Sequence, residues 1–248
     1  MKWSLQLLIG IITLFCQSSF SYTLKVAADI SLREILSHLS QDFTGTVTTN
    51  FIELNFAPSG VLRKNINEEN WDIIIMASKG EIDLLSQGGI VEKDSIKLLA
   101  KNRLILVTAW PRKNQKSWME LAETEWKRII LASPDTSMSG VGAQMLLEKE
   151  GFLDSLKGKI IYEKNSEKVL EWVKRAKADA GFIYQSDLIF LKPRETFSLF
   201  EIDDMLYSPI QYYGAILKKT GFPHEAQTFL NFIASQVLIW EKWGFERP

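Results

Sequence analysis

The chain has 248 residues, 46% of them hydrophobic, and its 29 Lys and Arg against 30 Asp and Glu leave a formal charge of −1. That balance, with the charges dispersed and no basic block, lacks the electrostatic footprint of a nucleic-acid-binding protein. One cysteine and two histidines exclude a disulfide framework and a cysteine-rich metal site, so stability must come from packing, for which the length allows one large or two small domains.

Residues 1–21 read as a secretory signal peptide: Lys2 supplies positive charge, 5–15 is an apolar core, and Ser19-Phe20-Ser21 fits a small-x-small cleavage site. The apolar run is shorter than the roughly 20 residues that span a bilayer, which argues against an uncleaved anchor. Bulky Phe15 before Cys16 argues against lipid attachment at that cysteine. Cleavage near Ser21 removes Cys16 and starts the mature chain at Tyr22.

Beyond it, short apolar runs recur at 24–28, 72–76, 104–109, 129–132, 159–162, 180–184 and 210–217. Most are continuous rather than alternating, as strands covered on both faces tend to be, and they predict a largely parallel sheet. Between them, apolar residues at three- and four-residue spacing predict helices over about 31–42, 59–68, 79–87, 139–150, 166–177 and 223–243. Strand and helix in alternation argue α/β. No Gly/Ser tether divides the chain, so two lobes would be joined by strands, with 104–109 and 210–217 as the crossing candidates beside Trp110-Pro111 and Ser208-Pro209.

Four serines, Ser31, Ser59, Ser139 and Ser166, fall where an extended stretch gives way to helical spacing. A serine there can cap the helix while its hydroxyl and nearby backbone N–H groups hold an oxyanion. Ser31 and Glu34 have capping-box spacing, and Gly60 and Gly140 after Ser59 and Ser139 would let a ligand approach the backbone closely. Each serine alone is explained by a simple cap. Four in both halves are harder to dismiss, because ligands in α/β proteins gather at the carboxyl ends of strands. Tyr184, at such an end, could aim its hydroxyl into a cleft or be buried in the core.

Other motifs are weaker. Gly140-Val141-Gly142 lacks the third glycine of a dinucleotide fingerprint, where Met145 stands, and no phosphate-loop sequence appears. His38 and His224 have no metal-like spacing and neither lies at a strand end, so a Ser-His-Asp hydrolase is poorly supported. Asp203 and Asp204, adjacent on an extended segment, would point to opposite faces and make a poor acid/base pair. The tryptophans at 110, 118, 126, 172, 240 and 243 read as packing.

The order of these elements resembles the periplasmic molybdate-binding protein family, the substrate-capturing component of an ABC transporter. The likeness runs through Val26-Ala27-Ala28 to Ser31-Leu32, Phe56-Ala57-Pro58-Ser59 to Leu62, Trp71-Asp72-Ile73-Ile74-Ile75, Ser139-Gly140, Gly181-Phe182-Ile183-Tyr184-Gln185-Ser186-Asp187 and Trp243-Gly244-Phe245. It implies a type II periplasmic binding protein fold with two lobes, each a mostly parallel sheet flanked by helices. Lobe 1 would comprise 22–106 and 208–248, lobe 2 would comprise 107–207, and the hinge strands would lie near 104–109 and 205–217. It further implies a periplasmic, monomeric binding protein that is not an enzyme and needs no cofactor, holding molybdate or tungstate through neutral donors and delivering it to a membrane permease. The hydroxyls would come from Ser31, Ser59 and Tyr184, and backbone N–H groups from Ser139 and Ser166.

The chain departs from the family at Asp29-Ile30, where alanines are usual, and at Pro58. A carboxylate in an anion pocket repels the ligand, so either Asp29 faces away or the preferred ligand differs. With Asp29 in the cleft, an enzyme or sensor acting on another small, phosphate-like anion is the alternative. An organic-acid binder would need a cleft arginine, and none of the proposed positions is one.

Overall fold

The computed structural model describes residues 22–46, 50–110, 117–122, 126–192 and 197–248, so the expected signal peptide and Cys16 lie outside them. Two five-stranded sheets organise the chain. The first contains β1 (Tyr22–Asp29), β2 (Asn50–Ala57), β3 (Ile73–Met76), β4 (Lys97–Asn102) and β10 (Ile210–Ile216) in the order β2-β1-β3-β10-β4. The second contains β5 (Leu104–Thr108), β6 (Ile129–Ala132), β7 (Ile160–Glu163), β8 (Ala180–Tyr184) and β9 (Ser198–Glu201) in the order β7-β6-β8-β5-β9.

In each sheet four strands run in one direction, as expected of a mostly parallel sheet, and one runs against them. In the first, β10 runs antiparallel to β3 and β4, and in the second β5 runs antiparallel to β8 and β9. The reason lies in connectivity: β5 and β10 enter their sheets directly from the other lobe, with no helical crossover to restore the direction that a parallel neighbour requires. The strands expected to cross between lobes each belong to one sheet, Leu104–Thr108 to the second and Ile210–Ile216 to the first. The chain passes from the first sheet to the second at Arg103, between β4 and β5, and returns between β9 and β10.

Helices cover both faces of each sheet. On the first, α1 (Arg33–Thr46) buries Ile35, Leu36, Leu39 and Phe43 beside Phe229, Leu230 and Ile233 of α7 (Pro223–Ser235). The Phe43 and Phe229 rings meet edge to face at 5.1 Å. The opposite face takes Leu62 of α2 (Ser59–Lys64) and Ile82 and Leu85 of α3 (Lys79–Gln87) against Ile74, Met76 and Ala215. On the second sheet, α4 (Met138–Lys149), followed by the one-turn α5 (Leu153–Leu156), packs Ala143, Leu146 and Leu147 on one side, and α6 (Ser166–Lys174) packs Val169, Leu170 and Val173 on the other. Each such buried aliphatic side chain contributes roughly 1.5–3 kcal/mol, so the continuous apolar runs of the strands are the main source of stability.

The helix predicted over 223–243 is two helices, because the backbone at Gln236 (φ −83°, ψ 43°) ends α7 and starts α8 (Val237–Lys242). Gly244, at φ +82°, then turns the tail against the crossing: a Cβ there would stand 3.0 Å from the Cα of Ser186. Phe245 packs edge to face on Tyr212 at 5.5 Å, and Glu246 pairs through its backbone with Lys101. With the lobes so joined, the carboxyl ends of β1 and β8, Asp29 and Tyr184, line the same cleft.

Candidate ligand-binding cleft

None of the four serines is itself a helix cap. Asp29 caps the 3-10 turn Ile30–Leu32 that leads into α1, Pro58 precedes α2, Ser137 precedes α4 and Asn165 precedes α6. The serines sit one or two residues inside, so Ser31 and Glu34 form no capping box. At that position a first-turn N–H has no intrahelical partner and remains a donor for something else.

For Ser31 and Ser59 that something is Asp29. Its Oδ1 accepts from the Ser31 amide at 3.1 Å and the Ser31 hydroxyl at 2.7 Å. Its Oδ2 accepts from the Ser59 amide at 3.0 Å and the Ser59 hydroxyl at 2.5 Å. Four neutral donors from two helix starts therefore converge on one buried carboxylate. The hydroxyls have no proton to spare: Ser59 Oγ in turn accepts from the Ala77 amide at 3.0 Å, and Ser31 Oγ lies 2.9 Å from the Tyr212 hydroxyl. Since the Ser31 proton points to Asp29, Tyr212 is the donor there, and it accepts from Asn102 Nδ2 at 3.3 Å. Burial pushes the Tyr212 hydroxyl well above its ordinary pKa, with the Asp29 charge adding to the shift, so it remains a proton donor at all working pH values.

The second lobe offers a complementary set. The Tyr184 hydroxyl accepts from the Ser139 amide at 2.9 Å and from the Ser137 hydroxyl, which leaves its own proton to be donated. Burial, and behind it the Asp29 charge, drives its pKa up and holds it neutral. Asp187 accepts from the Tyr184 amide at 2.9 Å and from the Ser166 hydroxyl; burial outweighs these bonds and pushes its carboxyl up to about 7. At the hinge, Asn102 joins the lobes by donating to Ser186 Oγ at 2.8 Å and accepting from the Ser186 amide at 3.3 Å.

Between these groups lies a cavity of about 60 Å³. From the first lobe it is lined by Asp29, Ser31, Arg33 and Glu34, and from the second by Thr136, Ser137, Asn165, Ser166, Glu167, Tyr184 and Asp187. A water needs roughly 10–15 Å³ on this measure, so the space suits a ligand of a few heavy atoms. Of the sequence-predicted residues, Ser31, Ser166 and Tyr184 line the cavity. Ser59 lies behind Asp29, and Ser139 is fully buried with its amide on Tyr184. Asp29 faces inward. Sequence reasoning missed Ser137, Asp187, Tyr212 and Asn102; Ser137 and Asp187 stand two and three residues from Ser139 and Tyr184, which was the available signal. Arg33, its guanidinium 5.0 Å over the Phe56 ring, is the one cation among four carboxyl residues on the wall. Among the described residues no group of three His, Cys, Asp or Glu is placed to hold a metal ion.

A family described as bacterial extracellular solute-binding protein matches residues 24–246. A Bacillus subtilis protein named as an ABC transporter substrate-binding lipoprotein, YvgL, is 28% identical over 90% of this chain and 86% of its own length. The molybdate-binding protein ModA of Haemophilus influenzae is 26% identical over 88% of this chain and 87% of its own length. In shape, the periplasmic molybdate-binding protein of Azotobacter vinelandii superposes with a TM-score of 0.81, covering 91% of this chain and 99% of that one at 21% identity.

Proposed function

Since the chain belongs to the bacterial extracellular solute-binding protein family, we propose that it captures a small tetrahedral oxyanion of the molybdate or tungstate type in the interlobe cleft. The relatives are transport components rather than enzymes, and the role is that of the substrate-binding protein of an ABC transporter. Its partner would be a membrane permease, its location the periplasm and its working form a monomer.

One observation carries the ligand class. The donors of Ser31 and Ser59 meet at a single anionic group with no cation in the seat, which is the chemistry a neutral oxyanion cage requires. Across the cleft, the Tyr184 hydroxyl keeps a proton to donate, and α4 and α6 turn the positive ends of two helix dipoles toward the cavity. Water exclusion in so small a cavity strengthens every such bond. No covalent step is involved.

A proton-bearing oxyanion such as hydrogen phosphate is the second reading, favoured by Asp29 and Asp187 on the cavity wall. A donor-only cage cannot accept a ligand proton, whereas a carboxylate can.

The experiment is a thermal-shift titration with molybdate, tungstate, sulfate and phosphate. A ligand at a hundred times its dissociation constant stabilises by about 2.7 kcal/mol, which for a chain of this size raises the melting temperature by roughly 5–10 °C. A response led by molybdate or tungstate supports the first reading and one led by phosphate the second. A flat response to all four refutes both.

A further inference from the structure

We propose that the Asp29 carboxylate is a built-in occupant of the oxyanion seat, so that Asp29 and an incoming anion exclude each other and Asp29 sets which anions the cleft takes. The inference rests on the oxyanion reading above only for the identity of the incoming ligand.

The bonding pattern goes beyond what a helix cap needs. Capping the 3-10 turn takes one bond, from the Ser31 amide to Oδ1. The other oxygen reaches the start of α2, thirty residues away in the chain, and takes both the amide and the hydroxyl of Ser59. Each carboxylate oxygen thereby receives two donors, which fills its acceptor positions. Both serine hydroxyls are fixed in direction, because the Ala77 amide and the Tyr212 hydroxyl donate to them from behind. An anion entering the cavity finds no Ser31 or Ser59 proton to accept while Asp29 is seated, and it meets a like charge. To load, it must take over those four donors and leave Asp29 to turn outward into the cleft.

The penalty is graded by charge and size. The like charge of a displaced Asp29 weakens every dianion without excluding it, and weakens least the large ones such as molybdate and tungstate, whose charge is spread over longer bonds and whose oxygens can reach all four donors. Asp29 is thus a specificity element written into the strand end, at the position where the resemblance expects a small alanine.

The test is calorimetric titration of the wild type, Asp29→Ala and Asp29→Asn with molybdate, sulfate and formate. Emptying the seat in Asp29→Ala should raise affinity for the two dianions by about a hundredfold or more, the scale of a like-charge juxtaposition. It should also create formate binding that the wild type lacks, since formate restores the missing carboxylate. Asp29→Asn keeps the side-chain volume and removes the charge, and it should shift dianion affinity the same way by a smaller factor; it stands in if the alanine variant does not fold. Formate binding in Asp29→Ala without any oxyanion response supports the occupied seat and sinks the oxyanion reading. Wild-type molybdate affinity equal to or tighter than that of both variants overturns the inference and leaves the oxyanion reading in place.

Discussion

Asp187 lies at the foot of β8 with its carboxyl pushed from 3.8 up to about 7, by burial first, with the neighbouring charge of Glu167 adding a little and the bonds from Ser166 and Tyr184 opposing. In the unfolded chain the same group loses its proton near 3.8, so between the two values the native state holds more protons than the unfolded state. Its contribution to stability is therefore fully present below about pH 4 and is lost as pH rises toward 7. A displacement of about three units is worth about 4 kcal/mol in all, of which roughly 3 kcal/mol falls between pH 5 and 8. Asp187→Asn removes the titration while keeping an oxygen acceptor. Urea denaturation of both proteins at pH 5, 6, 7 and 8 reads the difference, in which any constant packing cost of the substitution cancels. The wild type should lose about 3 kcal/mol relative to the variant across that range. Curves that stay parallel, or a wild type that gains on the variant as pH rises, would refute a buried Asp187 that keeps its proton up to about pH 7.

Two further substitutions test the scaffold of the cleft. Ser59→Ala removes two bonds, to Asp29 and from the buried Ala77 amide, and should cost about 1–3 kcal/mol by denaturant titration; wild-type stability would mean that the network adds nothing. In Gly140→Ala the new Cβ would stand 2.3 Å from the Ala132 carbonyl oxygen, so α4 must move out by about 1 Å, at a cost of about 1–3 kcal/mol. That shift should also weaken the thermal response to oxyanions, since α4 carries Ser139 and its cap Ser137; an unchanged melting temperature would place the α4 start further from β6 than described.

Much of the scaffold was legible in the sequence because buried strands and amphipathic helices carry strong periodic signals. The runs at 129–132 and 180–184 and the helix at 79–87 match β6, β8 and α3 residue for residue. The strand β2 escaped because it lies at a sheet edge and alternates: Phe51 is 64% exposed while Ile52, Leu54 and Phe56 turn inward against α1, so no continuous apolar run marks it. The edge strand β9 alternates in the same way. Mixed sheet direction was invisible because direction is set by where the chain changes lobe, and a single residue, Arg103, makes that change without any turn signature. The serines were found by their place at helix starts, but their partners were not, since Tyr212 and Asn102 come from strands remote in sequence. Asp29 stood out as a departure. Its orientation depended on whether Ser59 could reach it from β2 and α2, which only the folded chain decides.

The most direct measurement is a crystal structure of the chain grown with tungstate, whose heavy atom locates itself by anomalous scattering. One strong peak is expected in the cleft between Ser31 and Tyr184, with the Asp29 carboxylate turned away from the Ser31 and Ser59 donors. A cleft without tungsten while Asp29 keeps its four bonds, or a peak outside the cleft, would contradict oxyanion capture there.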